Sequence, residues 1–260
     1  MNRINDFSNL SNRIVDWMKD YATSNNIKSF VIGVSGGIDS AVSSTLAAKT
    51  GLPVYALGMP IHQKEQQEVL SDVHLKWLND NFENVTTIKY NLTEVFDSFK
   101  QTMNKYGSDP HALANTRSRL RMVTLYQVAG SVGGIVIGTG NKVEDYGVGF
   151  YTKYGDGGID IAPIADLYKT EVWKLGEHLG VDERIISSSP TDGLWDDGRT
   201  DEDQIGTSYQ MLEWVMEKGL SEDPMFLNEE QVNAINVYQK FNTQNKHKMI
   251  EIPTFKIKGE

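Results

Sequence analysis

Four short apolar runs, SFVIGV (Ser29–Val34), PVYALGM (Pro53–Met59), VTTIKY (Val85–Tyr90) and GIVIGT (Gly134–Thr139), punctuate the first half of the chain at spacings wide enough for a helix between each pair. Continuous β-branched runs of this length read as strands buried on both faces. Strands separated by helix-length segments predict a parallel sheet joined by right-handed crossovers. The intervening segments carry the helical period. Ile4, Phe7, Leu10, Ile14, Trp17, Met18 and Tyr21 fall three to four apart, which predicts an amphipathic helix. Val69, Val73 and Trp77 repeat every fourth residue, and Leu92, Phe96, Phe99 and Met103 share one face. Further helices are predicted over 39–50, 111–129 and 169–179, the first and last stopped by Gly51 and Gly180. Thr200, followed by Asp201, Glu202 and Asp203, reads as the cap of another. A last helix over 228–245 is expected to turn Val232, Ile235, Tyr238 and Phe241 inward. The fold class is therefore α/β, a mostly parallel sheet with helices on both faces and ligands at the carboxyl ends of the strands. Without a repeat or a linker, one domain over 1–260 is expected.

Charge and composition narrow the function. Lys and Arg number 25 against 35 Asp and Glu, a net charge of −10, so the surface repels nucleic acid and anionic membranes unless a local patch overrides it. No stretch approaches the roughly 18 apolar residues of a membrane span, and the N-terminus lacks the apolar block of a secretory signal; a cytoplasmic protein is expected. The absence of cysteine excludes disulfides, thiolate zinc sites, persulfide chemistry and a cysteine-nucleophile glutaminase. The five histidines show no zinc spacing, and no G-x-S-x-G elbow is present.

The chemistry concentrates in Ser35-Gly36-Gly37-Ile38-Asp39-Ser40, between the first strand and its helix. Two glycines let the backbone turn sharply and converge its N–H groups, while the helix dipole aims at the same point. This is a phosphate cradle, but neither a Walker loop nor a G-x-G-x-x-G dinucleotide loop. A carboxylate at position 39 would repel phosphate unless a divalent cation lay between them, and Mg²⁺ suits that oxygen-rich setting. Amides, hydroxyls and Mg²⁺ on a pyrophosphate make it a good leaving group, which points to nucleotidyl transfer onto a substrate oxygen.

SGGIDS resembles the pyrophosphate loop of the ATP pyrophosphatases. GTGNKVE (Gly138–Glu144), YTKYGDGGIDIAPIADLYKTEV (Tyr151–Val172) and SPTDGL (Ser189–Leu194) look like the ammonia-dependent NAD synthetases of that group. The resemblance implies a Rossmann-like three-layer sandwich and ATP-dependent amidation of deamido-NAD by ammonia through an adenylated nicotinate. It implies ATP contacts at Gly33, Val34, Ser35, Gly36, Gly37, Ile38, Asp39, Ser40, Thr139, Lys169 and Thr191, with Asp39 and Glu144 holding magnesium. Thr191 would carry the 187–200 loop over the nucleotide as a lid, whereas Asp192, Asp196 and Asp197 read as solvated. Deamido-NAD contacts fall on Arg119 (in preference to Arg121), Lys153, Asp160, His247 and Lys248. Asp156 becomes the acid that receives ammonium, with Lys169 assisting catalysis, and a homodimer is implied. Between Thr139 and Phe150 the chain is one residue longer than the commonest family version, and Lys142 is an additional candidate phosphate contact.

Relatives that thiolate tRNA need cysteine, and those that aminate tRNA bases need a basic surface; both conflict with this composition. Relatives fused to a glutaminase also require cysteine, so free ammonia is the expected nitrogen source. An argininosuccinate-synthetase-like ligase leaves the KYGDGG-x-D string unexplained. A non-catalytic adenine-nucleotide-binding module would need neither Asp39 nor the C-terminal half.

Overall fold

The structure is a computed structural model and describes residues 3–63, 65–191 and 200–257. Helix α1 (Phe7–Ser24) leads into β1 (Ser29–Gly33), followed by α2 (Ile38–Lys49), β2 (Val54–Gly58), α3 (Glu65–Asn81), β3 (Val85–Lys89), α4 (Thr93–Thr102), α5 (Pro110–Val132) and β4 (Gly134–Val136). The strands pair in the order β3-β2-β1-β4, all parallel, with Val31 of β1 opposite Tyr55 on one side and Val136 on the other. The chain builds outward from β1 to β3 and then returns to the far side of β1. That reversal leaves a crevice at the carboxyl ends of β1 and β4, where open α/β sheets bind ligands. β4 is short, and only a single parallel bridge, Ile137 to Ile161, carries the sheet further.

Alternation along β1 divides the core. Phe30 and Ile32 pack with Val15 and Met18 of α1, Val42 and Leu46 of α2, and Val172 and Leu175 of the later helix α6 (Lys169–Leu179). Val31 faces the other way, onto Leu57, Phe96 of α4 and Ala129 of α5. Each such side chain contributes about 1.5–3 kcal/mol by leaving water. Gly176 lets α6 lie directly on α2, because a Cβ there would stand 2.6 Å from Ile38 Cδ1. This close approach brings Lys169, at the start of α6, beside Asp39, at the start of α2.

The second half adds α7 (Glu183–Ile186), α8 (Asp201–Ile205), α9 (Tyr209–Glu217) and α10 (Glu229–Met249). Thr200 caps α8 as expected, accepting from Asp203 N. Three apolar stripes depart in part from expectation. On α3 it is His74, Leu75 and Leu78 that are buried, while Val69 is 48% exposed where the helix passes the crevice rim. On α4, Phe99 and Met103 lie outward beyond buried Leu92 and Phe96. On α10, Tyr238 and Phe241 pack inward as expected, joined by Val237, onto the cluster of Val143, Val148 and Leu212, whereas Val232 is exposed. The first turn of α10 extends past its support, so only the later turns find a surface to cover. Between β4 and α6 the chain forms a π-helix over Val143–Val148. Its i→i+5 turns are wider than those of an α-helix.

Candidate active site

β1 ends into the Ser35–Ser40 turn, with Gly36 at φ 91°. The two hydroxyls knit the turn together. Gly37 N donates to Ser35 Oγ (3.2 Å), Ser35 N donates to Ser40 Oγ (3.2 Å), and Ser40 Oγ donates to Gly37 O (2.9 Å). Gly37 caps α2 with no side-chain bond, so the first amides of the helix remain for an anion. Gly33, Val34, Ser35, Gly37, Asp39 and Ser40 line a cavity of about 500 Å³ that runs from β1 across to β4. Gly36 and Ile38 are outside its lining; Gly36 shapes the turn, and Ile38 is 4% exposed in the core beneath. Thr139 and Thr191 both face the cavity. Asp192, Asp196, Asp197 and most of the expected lid lie outside the described residues.

Behind the phosphate loop is a buried charge cluster. Lys169 Nζ lies 2.5 Å from Asp39 Oδ2 and 2.9 Å from Glu144 Oε1, and its side chain is 2% exposed. Asn141 donates from Nδ2 to Asp39 Oδ1 (3.1 Å), and its Oδ1 accepts from the amides of Val143 and Glu144. Tyr209 donates its hydroxyl to Glu144 Oε1 (2.6 Å), with its ring 4.9 Å from the Lys169 ammonium. Burial pulls Lys169 down, but Asp39 and Glu144 together push it above its ordinary value, so it remains an ammonium. Two carboxylates sharing one cation titrate as a unit. Burial raises Asp39 against the pull of Lys169, whereas Lys169 and the Tyr209 hydroxyl outweigh burial at Glu144 and hold it down. No group of three or more acids or histidines able to hold a metal occurs among the described residues. Two convergent carboxylates beside a phosphate loop nevertheless fit Mg²⁺, which takes one or two carboxylates and fills its octahedron with phosphate oxygens and water. Lys142 pairs instead with Asp166 at 2.7 Å and is absent from the cavity lining.

At the other end of the cavity, Asp156 Oδ1 accepts from Ser118 Oγ (2.6 Å) and Thr152 N (3.0 Å), and Asp156 N donates back to Ser118 Oγ (2.8 Å). Burial raises this carboxyl above its ordinary value despite those bonds. Asp145 lines the same space and is pushed well up by burial and by the neighbouring Glu144 and Asp156. Lys248 faces the cavity, donating to Tyr151 O at 2.7 Å, and burial lowers it. The other expected dinucleotide contacts lie outside the lining. Arg119 donates to Lys153 O, Lys153 Nζ donates to His247 O, and Asp160 accepts from Tyr126 OH and Val136 N. Arg121 is the arginine that lines the cavity, donating to Met59 O and Gln63 Oε1.

Sequence reasoning did not find Asn141, Ser118 or Tyr209. Asn141 carries a signal, since Asn followed three residues later by Glu is a capping pattern. Ser118 and Tyr209 lie on helices far from the motifs and acquire their roles only through packing.

A parallel sheet that gathers a phosphate loop, paired acids and a buried lysine at its switch point defines an α/β nucleotide-binding protein. The family model for NAD synthase matches residues 10–258, and the chain belongs to that family. It is 36% identical over 246 residues to the NH₃-dependent NAD⁺ synthetase of Methanosarcina mazei, covering 88% of this chain and 92% of that protein. Among solved structures it is similar to NMN synthetase from Francisella tularensis, with a TM-score of 0.86, 31% identity and coverage of 98% of this chain and 100% of that one. It is also similar to NH₃-dependent NAD synthetase from Campylobacter jejuni, with a TM-score of 0.75, 25% identity and coverage of 97% and 100%. No helix among the described residues is long and apolar enough to cross a membrane.

Proposed function

We propose that this chain amidates deamido-NAD with ammonia at the expense of ATP, yielding NAD, AMP and pyrophosphate. The observation that carries this reading is that one cavity joins a phosphate loop with paired acids at one end to the carboxylate of Asp156, hydrogen-bonded by Ser118 and Thr152, at the other. The nicotinate carboxylate is a poor electrophile. Its oxygen attacks the α-phosphorus of ATP and pyrophosphate departs. Ammonium held at Asp156 gives one proton through that carboxylate to solvent, the ammonia so formed attacks the acyl carbon, AMP departs, and the second proton follows the same route. The α2 amides and the Ser35 and Ser40 hydroxyls hold the phosphates, and Lys169 supplies a cation to them. Asp39 and Glu144 would hold Mg²⁺, which when bound neutralises charge on the leaving pyrophosphate. Asp156, kept in place by Ser118, captures ammonium in a desolvated setting. The rate advantage comes from positioning and electrostatics.

We read the chain as one domain, acting in the cytoplasm and as a homodimer. The dimer accounts for Arg119, Lys153, Asp160 and His247, which lie outside the cavity of a single subunit and are available to a dinucleotide shared across an interface. A second reading, the same amidation on the mononucleotide, is favoured by the likeness to NMN synthetase over that protein's whole length and by a cavity that presents only Lys248 of the five expected dinucleotide contacts. A pyrophosphate-release assay with ammonium or glutamine, ATP, and either deamido-NAD or nicotinate mononucleotide tests both. Release requiring ATP, ammonium and deamido-NAD together supports the first reading, and a higher kcat/KM for the mononucleotide selects the second. Release with neither acid would refute both.

A further inference from the structure

We infer that the Lys169 ammonium occupies the position of the divalent cation, so that the nucleotide-free protein excludes magnesium and the ion enters only together with ATP. The inference rests on the reading of Asp39 and Glu144 as metal ligands. Both carboxylates commit an oxygen to Lys169 Nζ, at 2.5 and 2.9 Å. A metal bridging these two side chains would need the space the ammonium fills, so the two cations compete.

Burial and the helix end both disfavour an ammonium there, and the two acids with Tyr209 hold the lysine in place. Its side chain is almost fully buried, and an ammonium out of water requires compensation on every open side. Lys169 is the first residue of α6, where the positive end of the helix dipole disfavours a cation; the two acids offset that cost. Tyr209 closes the remaining side, its ring facing the ammonium and its hydroxyl fixing the Glu144 oxygen that Lys169 shares. Asp39 and Glu144, with buried Asp201 bonded to the same Tyr209 hydroxyl and acting on Lys169, nevertheless outnumber the single cation.

Triphosphate arriving on the α2 amides changes that balance. Its oxygens offer Lys169 a stronger anionic partner next door. The four-carbon stem lets the ammonium move without displacing α6. The two carboxylates are then uncovered beside the phosphates, where Mg²⁺ finds protein and nucleotide oxygens at once. Lys169 thus acts twice, as counter-ion before binding and as phosphate clamp after it.

Mn²⁺ serves as the probe, its unbound fraction read by electron paramagnetic resonance, with and without a non-cleavable α,β-methylene analogue of ATP. Without nucleotide, the wild type and Lys169→Arg should bind Mn²⁺ weakly. Lys169→Met should bind it on the order of 10–100-fold more tightly, because the competing state is gone. With the analogue present, the wild type should bind Mn²⁺ tightly as well. Equal Mn²⁺ affinity of wild type and Lys169→Met in the absence of nucleotide overturns the inference. The metal-ligand reading fails separately, if Asp39→Asn leaves Mn²⁺ binding in the analogue complex unchanged. Should Lys169→Met not fold, the wild type alone decides by thermal denaturation. Mg²⁺ alone should leave Tm in place, and Mg²⁺ with the analogue should raise it beyond the analogue alone. A shift by Mg²⁺ alone equal to that extra increment overturns the inference.

Discussion

Ser118→Ala is the most discriminating single change at the ammonium end of the cavity. The Ser118 hydroxyl donates to Asp156 Oδ1 at 2.6 Å and accepts from Asp156 N at 2.8 Å. Alanine removes both bonds in a site only 7% exposed. A hydrogen bond to a charged group is worth about 1.5–3 kcal/mol, which corresponds to roughly 10–100-fold where that energy holds Asp156 on the ammonium. The Asp156 amide also loses its acceptor, at a cost of about 1 kcal/mol, or about 2–4 °C in Tm for a chain of this size. The pH dependence has a definite sign. The bond to Ser118 stabilises the ionised carboxylate against burial, so its removal raises the Asp156 pKa and moves the acid limb of the rate profile to higher pH. The assay is steady-state NAD formation with ammonium varied at saturating ATP. The expected result is a fall of about tenfold or more in kcat/KM for ammonium, with KM for ATP within about twofold. An unchanged ammonium kcat/KM and an unmoved acid limb would refute the role given to Asp156.

Gly155→Ala tests the same contact from the opposite wall, since its Cβ would stand 2.2 Å from Ser118 Oγ. It should reproduce the ammonium defect and cost about 1–3 kcal/mol by overpacking, read by urea denaturation. Asp39→Ala should lower kcat by about 10³-fold or more by removing a preorganised charge, while binding of the ATP analogue without metal, followed by calorimetry, persists. His74 is buried, stacked on Trp77 and bonded to Ser44 Oγ, and burial lowers it from 6.5 to about 4. The unfolded chain therefore binds the extra proton between those values, and stability falls as pH drops through that window, by about 3 kcal/mol in all. Thermal melts of His74→Gln should show a flatter decline over the same range.

The sheet was legible because its central strands, β1 and β2, are almost wholly buried and read as continuous apolar runs. SFVIGV has no polar face to confuse with a helix, VTTIKY exposes Thr86 and Lys89 at the sheet edge but keeps its β-branched run, and strand-helix alternation leaves few topologies. The phosphate loop was legible because neighbouring residues build it. Side-chain stripes were less secure: Val69 and Val232 keep the right period but lie where their helices overhang, and overhang depends on neighbouring elements. The Asp39–Lys169–Glu144 cluster joins three distant segments, and only the family resemblance brought them together. Tyr209 and Ser118 had no motif to announce them, being placed by the packing of α9 and α5. Arg119 and Arg121 differ by two positions on one helix, and which of them reaches the cavity is a matter of helix rotation that the sequence leaves open.

The cavity wall is fastened by the end of the chain. Asn242 and Asn245 of α10 donate to the carbonyls of Gly147 and Val148, Tyr151 OH donates to Lys248 O, and Lys248 Nζ donates back to Tyr151 O. These partners are 95 to 97 residues apart, so the wall depends on residues that follow every element of the sheet and the phosphate loop in the chain. A chain cut before α10 would own a phosphate pocket without the fastened wall between it and Asp156. Such a fragment would keep the loop that faces a nucleotide but lose the wall that α10 lends to the rest of the cavity.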